Sequence, residues 1–533
     1  MADRWVERYR GWWCALAGLL LVLAFPPFGS ATCGWIALVP AWWVITRSES
    51  ARRRPIRHGY LIGLVYFGGT FWWISDVTPV GTFFLVLYLA LYPGLWFLFV
   101  ARMLRPWADA GPAATLFNAA SAAALWVTLE WWRSWFLTGF DWNSLGASQS
   151  PSIVFRQLAA FGGVPLISFL LVFVNVLWAE GVLGIVDKLR RDQVVRLSFP
   201  FGAALVAVAL AFALGGHHLL RHEGEPLRAG PSFACIQPNI PQIANSPDFD
   251  AMETRALAQE VDLTTKAIAA KPELLIWPEA IVSEGVFNDE PLNSAVHAIV
   301  QSYDGWFLLG SQDFDYPAHK LYNAAYLFGP GGTSSQEYRK TRLVLLGEYV
   351  PLGPGFSWLR RDIGAGDIDF SPGTKPVRFQ MTQPDVTFAP LICFEDTLAD
   401  VAAKAARLRP DFFITITNDG WYTGWFAKWG VPQHLALAVF RCVEQDRPMI
   451  RCTNNGVSCI IDQKGTVTER LRDASGRSVD VGGIFTGTLH FYAARPTLYQ
   501  AWGDWIVLIS SLASVMLGLF WAVHSWGKEH RES

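Results

Sequence analysis

The sequence predicts two architectures in one chain: a polytopic α-helical membrane bundle of eight spans, and an exported α/β sandwich domain between the seventh and eighth. Three observations lead there. Apolar residues make up 52% of the 533 positions and charged residues only 17%, with 26 Trp and 36 Phe. Charge is also segregated: residues 221–500 carry 25 Lys+Arg and 32 Asp+Glu, net −7, while the remainder is net +5. Finally, short β-rich runs alternate with helical patterns inside that charged block, as in layered α/β folds. Such a composition excludes a disordered chain and disfavours an ordinary soluble enzyme. A net charge of −2 gives no reason to expect a nucleic-acid partner. The seven cysteines lack paired CxxC spacing and no HExxH occurs, which argues against a zinc site or a disulfide scaffold.

The spans follow in order. Gly11 to Thr46 holds no charge and has Pro26-Pro27 in its middle, so it reads as two short spans joined by a bend. Five more are His58–Ser75, Val77–Ala101, Ala110–Leu129, Gln157–Ala179 and Leu197–Leu220, and Trp505–Trp526 is the eighth. Each approaches the ~20 apolar residues that cross a bilayer. The domains are therefore expected at 1–220 (seven spans), 221–500 (exported) and 501–533 (eighth span and tail). If all eight spans form, 16 of the 18 basic residues outside the charged block fall on one side, and only Arg133 and Arg156 on the other. Cytoplasmic loops are the ones enriched in Lys and Arg, so both termini are expected in the cytoplasm and 221–500 outside, periplasmic in a two-membrane cell. The first span follows a basic start, as a signal peptide would, but leads straight into another span and reads as an uncleaved anchor.

Within 221–500, strands are expected at Ser232–Ile236, Glu273–Trp277, Trp306–Leu309, Ala324–Phe328, Val386–Cys393, Phe412–Thr417, Met449–Cys452 and Val457–Ile461. Helices are expected at Ala251–Ala270, Leu292–Ser302, Leu398–Leu408 and Gln433–Arg447. Chemistry in α/β folds gathers at the carboxyl ends of strands. Three such ends stand out: Trp277-Pro278-Glu279, Cys393-Phe394-Glu395-Asp396 and Asn418-Asp419-Gly420. Between the first two lie Tyr338-Arg339-Lys340-Thr341-Arg342 and Gly347-Glu348-Tyr349-Val350-Pro351. Each has a plainer reading. A lone Cys is usually buried filler, as Cys235, Cys442, Cys452 and Cys459 illustrate, and a Glu after a strand is usually solvated. A Cys452–Cys459 disulfide is open outside the cytoplasm, but spacing cannot show it. The lack of a strong Cys–His pair near Cys393 argues against a papain-like arrangement, His434 being the only nearby candidate.

The order Trp-Pro-Glu, Tyr-x-Lys, Cys-Phe-Glu resembles the Glu-Lys-Cys triad of the nitrilase (carbon–nitrogen hydrolase) superfamily. With seven spans before it and one after, it resembles one family in particular, the apolipoprotein N-acyltransferases. Phe25-Pro26-Pro27-Phe28-Gly29, Thr138-Gly139-Phe140-Asp141-Trp142, Gln237-Pro238-Asn239-Ile240-Pro241-Gln242, Gly347-Glu348-Tyr349-Val350-Pro351 and Thr453-Asn454-Asn455-Gly456 also fit the family in order. The chain departs from it at Pro238 (commonly Gly), Ser246 (commonly Trp), Phe394 (often Tyr) and Leu345-Leu346 (usually Pro-Phe). None of these touches the triad.

The resemblance implies an α-β-β-α nitrilase-like domain in a bacterial inner-membrane enzyme that acts as a monomer without metal or organic cofactor. It assigns Cys393 as nucleophile, Glu279 as general base and acid, and Lys340 as the cation for the oxyanion. Glu348 and Glu395 are assigned to support these groups, and the Phe394 N–H to help hold the oxyanion. It implies a ping-pong transfer of an acyl chain from a phospholipid, phosphatidylethanolamine being the usual donor, through a Cys thioester. The acceptor is the α-amine of the N-terminal diacylglyceryl-cysteine of an apolipoprotein. The aromatic segment Trp421-Tyr422-Thr423-Gly424-Trp425-Phe426-Ala427-Lys428-Trp429-Gly430 reads either as a loop over the core or as an interfacial arm in which Trp421 and Trp425 guide acyl chains. Two other classes remain in view. A membrane-tethered amidase would use the same triad with water as acceptor, but leaves eight spans without a purpose. A transporter needs intramembrane charges; Glu130 and Arg133, three apart on one helix face, favour a structural or docking role instead.

Overall fold

The computed structural model describes residues 2–104, 111–194, 198–240, 249–280, 291–345, 347–349, 369–422 and 429–529. Contacts divide the chain into two compact units. One comprises Met1–Ser75, Pro79–Arg221 and Thr497–Ser533; the other comprises Asp76–Thr78 and His222–Pro496.

The first unit is helical. Among the described residues, five helices are long and apolar enough to cross a membrane: Pro79–Met103, Pro112–Arg133, Phe155–Arg190, Phe199–Arg221 and Trp505–Trp526. The three spans expected nearest the N-terminus form shorter helices, Arg10–Leu23, Val39–Arg47 and Pro55–Thr70. Proline explains part of the shortening. Pro26-Pro27 lies just past the end of the first, and Pro40 and Pro55 sit in the opening turns of the other two, where a missing N–H costs nothing. Pro55–Thr70 packs closely on Leu91–Met103 because Gly59 and Gly63 face Pro93, Gly94 and Ala90; a Cβ on Gly63 would lie 2.5 Å from the Ala90 Cα. Phe199–Arg221 exposes Leu205, Val206, Leu210 and Phe212, and Trp505–Glu529 exposes Val515, Met516, Leu519 and Phe520. Apolar stripes of that extent call for an apolar solvent.

The second unit holds two six-stranded sheets. One runs β12-β1-β2-β3-β4-β5 and the other β11-β10-β9-β8-β7-β6. In the first sheet β1 is Arg228–Gln237, β2 Leu274–Ile276, β3 Trp306–Asp315, β4 Lys320–Phe328, β5 Ser335–Arg339 and β12 Gly483–Phe491. In the second, β6 is Phe379–Thr382, β7 Asp385–Ile392, β8 Phe412–Thr417, β9 Met449–Thr453, β10 Cys459–Ile461 and β11 Val467–Arg470. The centres are parallel: β1, β2 and β3 in one sheet, β7, β8 and β9 in the other. All six residues of β8 (Phe-Phe-Ile-Thr-Ile-Thr) are buried, as befits a parallel strand covered on both faces.

The sheets meet through Phe233, Cys235, Leu274, Ile276 and Leu308 on one side and Phe388, Ile392, Ile414, Ile416 and Ile450 on the other. Helices Phe249–Ile268 and Pro291–Ser302 cover the outer face of the first sheet, with Ala267, Val296 and Ile299 against Ile236, Leu275, Trp277 and Leu309. Helices Ala399–Ala406 and Gly430–Gln445 serve the second sheet and pack on each other. The result is the four-layer α-β-β-α order. Strands β5, β6, β11 and β12 have no counterpart among the expected strands. Their alternating or mainly exposed residues lack the apolar runs that marked the others.

Candidate active site

Strand β2 stops at Ile276 because Trp277-Pro278 turns the chain out of the sheet: proline has no N–H to continue the ladder. The turn lies hard against β3. A Cβ on Gly310 would come within 2.4 Å of the Pro278 carbonyl oxygen and 2.8 Å of the Glu279 Cα, so only glycine fits there. Glu279 is thereby aimed inward and is 6% exposed.

Lys340 directly follows β5, and its N–H continues the pairing by donating to the Asn323 carbonyl at 2.8 Å. Its side chain is 1% exposed and runs to two carboxylates. Nζ lies 3.1 Å from Glu279 Oε1 and 2.9 Å from Glu348 Oε1. Asn323 Nδ2 donates to the same two oxygens, at 2.8 and 2.9 Å. The remaining oxygens are also held. Glu279 Oε2 accepts from the Asn418 N–H at 2.9 Å, and Glu348 Oε2 from the Val344 N–H at 2.7 Å. Burial works against the charge on Lys340, but Glu279 and Glu348 outweigh it and hold the ammonium well above its usual range.

Cys393 begins the turn after β7, with φ of 52°, a left-handed conformation that side chains other than glycine rarely adopt. It is partly exposed, and its thiol interacts with the Thr417 side chain. Burial and then the Glu279 charge push the thiol well above its usual range; Lys340 pulls it down and Asp419 pushes it up. The group is therefore a thiol, not a thiolate, until a base takes its proton.

Glu395 has a different task. It is wholly buried and accepts hydrogen bonds from the Tyr338 hydroxyl (2.8 and 2.9 Å), the Thr341 N–H (2.8 Å) and hydroxyl (2.7 Å), the Arg342 N–H (3.2 Å) and the Ile392 N–H (2.9 Å). It ties the strand end bearing Lys340 to the one bearing Cys393. Burial raises its pKa, with those hydrogen bonds and Lys340 opposing.

The structure thus gathers Glu279, Lys340 and Glu348 in one hydrogen-bonded network and places Cys393 within its field, with Phe394 next in the turn and Glu395 beneath it. Trp425, with 423–428, and the side chain of Trp421 lie outside the described residues, as do Ser246 and Leu346. His434 is not the partner of Cys393: its ring nitrogens face Asp396 and Asp419. Cys452 and Cys459 are both free thiols. Sequence reasoning missed Asn323 and Thr417. The signal for Asn323 was a lone amide in the apolar run Leu321-Tyr322-Asn323-Ala324-Ala325-Tyr326-Leu327, where burial demands hydrogen-bond partners.

Residues 17–177 match the sequence profile of the apolipoprotein N-acyltransferase N-terminal domain, and 233–481 that of carbon-nitrogen hydrolase. An apolipoprotein N-acyltransferase of Geobacter metallireducens is 32% identical over 469 residues, covering 85% of this chain and 85% of its own. The chain belongs to the apolipoprotein N-acyltransferase family. A second member, from Azotobacter vinelandii, is 31% identical over 98% of this chain and 96% of its own. A solved structure of Saccharomyces cerevisiae Nit3, of the nitrilase superfamily, aligns with 49% of this chain and 89% of its own at 16% identity and a TM-score of 0.36. The apolipoprotein N-acyltransferase family is one of acyltransferases with a cysteine nucleophile, a nitrilase-type fold and strongly apolar helices.

Proposed function

We propose that this protein transfers an acyl chain from a phospholipid to the N-terminal diacylglyceryl-cysteine of apolipoproteins, by a ping-pong route through a thioester on Cys393. The observation that carries this reading is the buried Glu279–Lys340–Glu348 network beside a cysteine on a left-handed turn, in a chain of this family.

The thiol needs a base. Glu279 takes its proton as Sγ attacks the phospholipid ester carbonyl. Lys340 and the Phe394 N–H hold the charge that develops on the carbonyl oxygen. The ester C–O bond breaks, Glu279 returns the proton to the departing lysophospholipid oxygen, and a thioester remains. In the second half the neutral α-amine attacks the thioester, Glu279 accepts the amine proton, the C–S bond breaks and the proton goes to sulfur. Glu348 and Asn323 hold Lys340 and Glu279 in place throughout. Phosphatidylethanolamine is the expected donor, and the protein acts as a monomer.

The apolar helices suit both substrates. Each buried CH₂ is worth ~0.8 kcal/mol, so neither the donor nor the acceptor leaves the bilayer readily. A site screened from water also favours aminolysis of the thioester over hydrolysis. We place the enzyme in the bacterial inner membrane with eight spans and both termini cytoplasmic. On this reading 1–220 and 501–533 form the membrane domain and 221–500 the periplasmic catalytic domain.

The deciding experiment is to incubate purified protein with phospholipid carrying a labelled acyl chain and a diacylglyceryl-cysteine peptide. Labelled N-acyl peptide is the expected product. Free labelled fatty acid alone would instead show a hydrolase, and no conversion would leave a transport role.

A further inference from the structure

A second polar cluster lies behind the Cys393 turn, and the reaction above does not use it. Asp396, Asp419, His434 and Arg451 are all fully buried. His434 Nε2 lies 2.8 Å from Asp396 Oδ1, and Nδ1 lies 3.0 Å from Asp419 Oδ1. Arg451 Nε lies 3.2 Å from Asp396 Oδ2, and Nη1 lies 3.5 Å from Asp419 Oδ2. Each member comes from a different segment. Asp396 is in the turn Cys393–Thr397, and Asp419 follows Asn418, whose N–H holds Glu279. His434 is on helix Gly430–Gln445 and Arg451 on β9.

We propose that His434 and Arg451 act as a buried cationic pair that neutralises Asp396 and Asp419, fixing the Cys393 turn and shielding its thiol from their charge. They are positioning residues, acting through the two aspartates; the inference rests on Cys393 being the nucleophile.

Charge balance carries the argument. With His434 as imidazolium, two cations face two carboxylates. With a neutral ring, one negative charge stays buried without a counter-ion, which is strongly unfavourable in a dry interior. Local geometry alone does not choose, because Arg451 Nη2 also lies 2.9 Å from His434 Nδ1. A protonated Nδ1 faces that donor; an unprotonated one faces the Asp419 oxygen. One poor contact exists either way, and neutrality selects the imidazolium.

The other groups nearby do not upset the sum. The Thr417 hydroxyl is uncharged, and burial pushes the Cys459 thiol up to about 12. Burial and the Arg451 charge push His434 down, but Asp396 and Asp419 more than reverse them, to about 9. Burial likewise pushes Asp419 up, and Arg451 and His434 bring it down to about 2. Asp419 already pushes the Cys393 thiol upward. Removing a cation from behind Asp419 strengthens that push.

The test is alkylation of Cys393 by iodoacetamide in the detergent-solubilised full chain, followed by peptide mass spectrometry from neutral to alkaline pH. His434→Gln should slow modification at neutral pH by ~10-fold, equivalent to raising the thiol by about one pH unit. Adding Asp419→Asn should restore most of that rate, since it removes the exposed charge. Unchanged alkylation in folded His434→Gln, or no restoration in the double variant, overturns the proposal. Should His434→Gln fail to fold, NMR of the wild-type chain with labelled histidine decides: a His434 ring protonated on both nitrogens at neutral pH supports it, a neutral ring overturns it. Failure of the acyl-transfer reading appears separately, as no acyl label on wild-type Cys393.

Discussion

The two buried clusters beside the Cys393 turn are built on opposite balances of charge. Around Lys340, one cation serves two carboxylates. Around Arg451, four fully buried side chains pair among themselves. In the proposed reaction the proton is moved where the charges do not close, because a small displacement there changes which group bears it. A closed set resists any such change and holds the backbone instead. On the proposed mechanism, strand ends of both sheets carry the chemistry, and the neighbouring set of side chains keeps them in register.

The largest expected effect lies at the thiol itself. Cys393→Ala should abolish a hydroxylamine-sensitive acyl label from phospholipid, whereas Cys442→Ala and Cys452→Ala should keep it. Equal labelling in Cys393→Ala would remove the nucleophile from the unbalanced side. Next is the base: Glu279→Gln keeps the shape and should lower single-turnover acylation by about 10²–10⁴-fold with little change in melting temperature. Lys340→Ala should cost about 10²–10³-fold, and it should also destabilise, since it leaves Glu279 and Glu348 buried without their cation. Near-normal turnover in either folded variant contradicts the assignment of roles.

The closed cluster should answer to pH through stability. The folded pKa of His434 is raised from 6.5 to about 9, so its contribution is complete below the unfolded value and is lost as pH rises through about 9. For Asp419, lowered from 3.8 to about 2, the contribution is complete above the unfolded value and is lost as pH falls through about 2. Melting temperatures should therefore fall at both extremes, and the alkaline fall should vanish in His434→Gln. The smallest effect is expected for Trp429→Ala and Trp425→Ala, which should weaken the use of long-chain donors yet leave Cys393 reactive to a small thiol reagent. Unchanged kinetics with lipid donors would return that segment to a purely structural role.

Much of this was legible from residue order. Buried parallel strands such as Val386–Cys393 and Phe412–Thr417 announce themselves as strongly apolar, uncharged runs, and the observed β7 and β8 lie where those runs predict. Glu279 and Cys393 were found because each ends such a strand, and Lys340 through the Tyr-x-Lys order that resembles the nitrilase triad. What stayed hidden depends on pairing across long stretches of chain. β12 contacts β1 more than 240 positions away and shows only partial burial, so no local pattern marks it. Nothing in the local sequence marks Arg451 or His434 as part of a charge cluster. Only three-dimensional placement between Asp396 and Asp419 shows what they do. The division of labour between Glu348 and Glu395 was equally invisible: both are carboxylates near the triad, yet one binds Lys340 and the other binds five donors of the backbone and side chains around it.

The left-handed backbone at Cys393 sets function against thermodynamic selection at a single codon. A Cβ at φ of 52° is strained, and glycine, encoded by codons neighbouring those of cysteine, removes that strain at once. A population screened for thermal stability alone should drift toward glycine at this position, becoming tougher and inert together. The substitution that relaxes the backbone here is also the one that removes the proposed nucleophile.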